Sequence, residues 1–141
     1  SIDNGSWKRS ITVLRNCCAH HSRLWNRYLS TAPQMNASLC DAWVNIQNVD
    51  ANKVYAISCC IAYWLDFMGY GDDLKKNFKS LLVSYPQVDP AAMGFPKDWN
   101  SEPLWRLVIF KKKQEGMLDV AYFTSDRLSY MTFSILLQKT S

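Results

Sequence analysis

Residues 54 to 65 read VYAISCCIAYWL and are followed by Asp66. This is the longest apolar run in the chain, and its reading decides the fold. A membrane-crossing helix needs about 20 apolar residues, so a run of twelve predicts a buried core helix instead. The helix is expected over Lys53 to Met68, capped by Asp50 or Asn52 and ended by the GYGDD turn. A core helix needs other elements packed around it, and the flanking sequence supplies candidates.

Downstream, Asp72 or Asp73 is placed to cap LKKNFKSLLVSYP, a second helix with Leu74, Phe78, Leu81 and Leu82 facing inward and Pro86 as its stop. QVDPAAMGFPKDWNSEPLW, with three prolines and a glycine, predicts an ordered loop with one-turn helices, pinned by Phe95, Trp99 and Trp105. Within it, MGFPKDW reads as a packing device, a Gly-Phe-Pro turn with a Trp anchor. LWRLVIF fits a strand or a helix end. Beyond Ser125, Leu128, Met131 and Ile135 fit a final helix, although YMTFSI also alternates like a strand.

Upstream, Leu14, Cys18, His21, Trp25 and Tyr28 recur at helical spacing, predicting one helix from about Ser6 to Leu29. STAPQMNAS breaks it, and residues 40 to 52 fit either a short helix or an extended connector. A chain of 141 residues suits one domain, and 48% hydrophobic against 20% charged residues argues against disorder. The +4 net charge favours anionic partners only if it is clustered. Two lysine runs, Lys75-Lys76-Lys79 and Lys111-Lys112-Lys113, are expected to be solvated. The five cysteines (17, 18, 40, 59 and 60) show no metal-ligand spacing, and neighbouring pairs rarely bridge, so reduced thiols of a cytoplasmic protein are expected. The N-terminus has no apolar signal region and no initiator Met, which suggests a piece of a longer chain.

The chemistry concentrates in residues 14 to 27, LRNCCAHHSRLWNR. Three readings compete. One is a packed helix, with His21 in the core and Arg23 and Arg27 in solvent. One is a metal site, with Cys17, His20 and His21 on one face as ligands. The third is catalysis, with a histidine moving protons and an arginine holding phosphate charge. Asn16 and His20 share a face, but Arg15 and His20 lie about 140° apart on a regular helix. They meet over one phosphate only if the arginine wraps round, the helix is distorted, or a second copy supplies half the site.

Arg15, Asn16, Ala19, His20, His21, Arg23, Leu24, Trp25 and Asn26 match, in place, an Arg-Asn-x-x-Ala-His-His-x-Arg-Leu-Trp-Asn signature. The segment thereby resembles the C-terminal half of the Abi-like family of bacterial abortive-infection proteins. The likeness continues through Tyr85-Pro86, Met93 to Trp99 and Pro103 to Trp105, and so covers about residues 7 to 107. The family looks like a branch of the HEPN superfamily, helical bundles whose Arg-x(4–6)-His motif serves metal-independent RNA cleavage.

The resemblance implies an all-α fold, the C-terminal part of a HEPN-like bundle with an ordered Pro/Gly-rich loop. Residues 1–107 would form the helical domain; residues 108–141 match nothing in the family and are expected to be a C-terminal extension packed on the same domain. Without the family's N-terminal half, Trp7, Trp43 or Trp64 would be left uncovered. The implied function is a metal-independent endoribonuclease of phage defence or toxin-antitoxin type, needing no cofactor. Its partners would be RNA, an RNA or protein antitoxin and a second copy of itself, with no membrane. Carried over, Arg15 would steady the phosphate, His20 would act as acid or base, and Asn16 would hold the arginine or the RNA backbone. His21, Arg23 and Asn26 would contact RNA or support the site. The competing class is an RNA-binding or protein-interaction module without turnover.

Overall fold

The computed structural model describes residues 4–20, 24–36, 39 and 42–107. The regular elements among the described residues are all helical, with no strand: α1 (Asn4–Ala19), α2 (Val54–Met68) and α3 (Gly71–Ser84), followed by one-turn 3-10 helices at Pro90–Met93, Trp99–Ser101 and Pro103–Trp105. A further 3-10 turn, Ile46–Asn48, shows that the ambiguous segment before α2 is a connector with one turn in it. The readings placed on residues 108–141, including the final helix or strand and the Lys111–Lys113 run, lie outside the described residues.

The apolar run is the centre of the molecule. Every residue from Val54 to Tyr63 is buried, with Leu65 and Asp66, and α2 packs against both α1 and α3. No helix among the described residues is long and apolar enough to cross a membrane. The expected cap at Asp50 or Asn52 is not formed. Lys53 occupies the N-cap position with no side-chain bond. Asp50 is used one turn earlier, accepting from the Asn52 amide at 3.0 Å, and the Asn52 side chain is spent on Leu29 O at 2.7 Å. The other end follows the sequence: Gly69 has φ 86° and donates back to the carbonyls of Leu65 and Asp66.

Helix α3 begins at Gly71, so Asp72 and Asp73 sit inside its first turn, where carboxylates suit the positive end of the helix dipole, rather than capping it. Leu74, Phe78 and Leu81 face the core and Leu82 is half-buried. The expectation of a solvated lysine run fails at Lys75. Four residues after Gly71, it faces α2 and is fully buried, with Nζ at 2.8 and 2.6 Å from the two Asp66 carboxylate oxygens. Lys79 donates to Trp105 O at 3.1 Å, which leaves Lys76 as the exposed member of the run.

The loop after α3 is ordered as expected. Asp89 caps its first turn by accepting from Ala91 N, and Gly94 adopts φ 86°. A Cβ on Gly94 would lie 2.6 Å from Lys53 Cβ, so both conformation and space require glycine. Phe95, Trp99 and Trp105 are buried with centroids 5.0 Å (Phe95–Trp99) and 5.3 Å (Trp99–Trp105) apart. Trp105 Nε1 donates to the Tyr55 hydroxyl at 3.1 Å, fastening the loop to α2.

A second aromatic group corrects the expectation of uncovered tryptophans. Trp7 and Trp43 are buried and stack at 5.9 Å, and the half-buried Trp64 lies 5.4 Å from Trp7. The chain 30–36 is laid along α1 by paired bonds: Gln34 N donates to Ser6 Oγ at 2.8 Å and Trp7 Nε1 donates to Gln34 O at 2.9 Å.

Candidate functional site

Helix α1 was expected to run to Leu29, but it ends at Ala19. Leu24 and Leu29 reach the core from irregular chain instead, and Leu29 N donates to Asn52 O at 2.7 Å, a pairing that a helical Leu29 could not make. The stripe is therefore not carried through to its end: Trp25 is half-buried against the core, but Tyr28 is 65% exposed. The signature residues straddle this end of α1. Arg15 and Asn16 lie in its last turns, and His20 immediately follows it.

All three of these side chains are exposed. Arg15 Nη2 donates to Asn16 Oδ1 at 3.2 Å, so the arginine leans toward the face that Asn16 shares with His20. His20 N still donates to Asn16 O at 3.0 Å, the regular helical bond. The backbone is thus regular helix up to His20, and the Arg15 guanidinium is held by the neighbouring Asn16. Asn26 is exposed in a turn closed by Arg27 N and Leu24 O at 3.1 Å. His21 and Arg23 lie outside the described residues, and with His21 goes the full Cys17-His20-His21 ligand set. Among the described residues no three His, Cys, Asp or Glu side chains gather as a metal site.

The Cys18 thiol is not placed to act as a nucleophile. Cys17 and Cys18 are half-buried free cysteines, and burial, with Cys17 adding to it, pushes the Cys18 thiol up to about 11. It therefore stays protonated near neutrality.

One charge signal bears on this end of the molecule. From Asn4 to Cys40 there is no acidic residue, while Lys8, Arg9, Arg15, Arg23 and Arg27 are all cationic. The eleven acids after residue 40 are matched by eleven Lys and Arg, so the whole +4 excess lies in the first 40 residues. Counting runs of lysine misses this, because the signal is the missing acids. What the arrangement offers is an exposed imidazole and an exposed guanidinium within five residues at the end of an acid-free helix, residue types suited to a phosphodiester.

Comparison of the chain with protein-family models, with curated proteins and with solved structures finds no match in any of the three.

Proposed function

We propose that the end of α1 is the cleaving centre of a metal-independent endoribonuclease, of the abortive-infection or toxin-antitoxin type that the signature suggests. The observation that carries the reading is the Arg15–Asn16 bond, which turns the guanidinium toward the His20 face of a helix without acids. Neutral His20 takes the proton of a ribose 2′-OH, and the 2′-oxygen attacks the adjacent phosphorus. The bond from phosphorus to the 5′-oxygen breaks, and the imidazolium of His20 returns its proton to that oxygen. The products are a 2′,3′-cyclic phosphate and a free 5′-OH. Arg15 offsets the charge on the non-bridging oxygens as the phosphorus becomes crowded, and Asn16 holds the guanidinium. Such a protein would act on RNA in the cytoplasm and be restrained by an antitoxin of RNA or protein.

The exposure of Arg15, Asn16 and His20 favours a second reading, an RNA-binding or interaction module without turnover. Incubating the full chain with labelled RNA in EDTA separates the two. The nuclease reading predicts cleavage that falls by ~10²–10⁴-fold in a folded His20→Ala protein, the usual worth of a positioned proton-transfer group, and by ~10²–10³-fold in a folded Arg15→Ala protein, the usual worth of a group that stabilises transition-state charge. Cleavage at the parent rate in either variant misassigns the site. Binding with no cleavage supports the module.

A further inference from the structure

The exposed arc of α1 extends well beyond its motif end. Gly5, Lys8, Arg9, Thr12, Arg15, Asn16, Ala19 and His20 are all exposed, while Ser6, Trp7, Ser10 and Leu14 occupy the buried side. At about 100° per residue, Lys8 and Arg15 fall within about 20° of each other on one edge of this arc. Arg9 and His20 fall within about 20° of each other on the opposite edge. Between the edges lie Gly5, Thr12, Asn16 and Ala19, all small or neutral, and the Thr12 hydroxyl is turned down onto Lys8 O at 2.8 Å. The helix thus carries one edge with Lys8 and Arg15 and another with Arg9 and the imidazole of His20, separated by small or neutral residues onto which Arg15 leans through Asn16. From its 1.5 Å rise, the Arg9–His20 row is about 16 Å long.

We infer that this arc is a binding track for the phosphate backbone of single-stranded RNA, with Lys8 and Arg9 as contacts two turns before Arg15. The choice of RNA rests on the nuclease reading above; the choice of a polyanion rests on the helix itself. The arc holds no large apolar side chain, so it lacks the hydrophobic half that seats a helix in a lipid surface. It equally lacks the aromatic or aliphatic anchors on which protein interfaces depend. Small residues between the rows let a backbone approach closely, and the cations on both sides replace its counterions. The strand is thereby led along α1 to Arg15 and His20.

The test is binding, measured without cleavage. A fluorescein-labelled 2′-O-methyl RNA dodecamer has an intact phosphate backbone but no 2′-OH to attack. Its affinity for the full chain is followed by fluorescence anisotropy over a range of salt. Each lost phosphate contact on a single strand lowers the slope of log K against log salt by about 0.7, so a Lys8→Gln/Arg9→Gln protein should lose about 1.4 and bind more weakly. The matched control is Lys76→Gln/Lys97→Gln, which removes two exposed charges from α3 and the loop and should leave the slope unchanged. A slope unaltered in the first protein, or lowered equally in both, overturns the proposal. So does tighter binding to phosphatidylserine vesicles than to RNA. The measurement stands whether or not the parent cuts RNA, so failure of the nuclease reading is seen separately.

Discussion

All three ammonium protons of Lys75 are committed: two to Asp66 at 2.8 and 2.6 Å, and one to Arg106 O at 3.0 Å. The pair joins α2 to α3, and through Arg106 it also fixes the chain leaving the last 3-10 turn. Gly71 makes room for it, because a Cβ there would fall 1.8 Å from Asp66 Oδ1. Breaking a buried pair by removing one partner leaves an uncompensated charge and typically costs about 3–5 kcal/mol. Lys75→Met should therefore lower the urea unfolding midpoint sharply, whereas Lys75→Met/Asp66→Leu should recover most of the loss. Gly71→Ala forces the carboxylate aside and should be nearly as damaging in the parent, yet mild in an Asp66→Ala background. An equal cost in both backgrounds would show that the glycine serves some other contact.

Among the elements, α2 is set chiefly by burial. Twelve of its residues are buried, and it starts without a side-chain cap. This solvent exclusion also has a pH signature. Burial raises the thiols of Cys59 and Cys60 and, with Cys59, the Tyr55 hydroxyl, while Cys18 on α1 is raised from 9.0 to about 11. An acid whose folded pKa lies above its unfolded one favours folding fully below the unfolded value, and that advantage is lost as pH rises through the folded value. Thermal midpoints should thus hold up to about pH 9 and fall steadily toward pH 11, with a shallower fall in Cys18→Ala; a flat profile to pH 10.5 contradicts the burial of these groups. The same elements show what the sequence could and could not reveal. Helices α2 and α3 and the loop were legible, because a long apolar run, a Gly stop and a Gly-Phe-Pro turn each act locally. The early end of α1 was not, since Trp25 and Tyr28 keep helical spacing by coincidence and the pairing of Leu29 with Asn52 is long-range. Lys75 was misread for a related reason: its partner lies nine residues away on another helix. Of the α1 end, the exposure of Arg15, Asn16 and His20 has no local signal in the sequence, whereas the acid-free stretch is written in it as missing charges rather than as a motif.

At the scale of the whole molecule, the +4 excess lies in the first 40 residues, and the candidate centre stands open to water. Charges in an open site act through a dielectric that leaves them roughly 1 kcal/mol at 4 Å, against several times that near a shielded surface. A second copy laid against α1 would exclude water and bring an arginine across the about 140° that separates Arg15 from His20 on one helix. Two acid-free faces repel each other, so the polyanion between them should hold the pair together, and pairing should weaken as salt rises. Mixing tests this shared site. Arg15→Ala and His20→Ala proteins are each inactive, but combined in equal amounts with RNA they form hybrids in half of all pairs. Each hybrid regains one of its two composite sites, so a two-fold pair predicts recovery to about a quarter of the parent cleavage rate. No recovery, with subunit exchange proven by differently labelled copies, would mean that each chain completes its own centre. The reach of Arg15 over Asn16 would then have to extend to His20 without help.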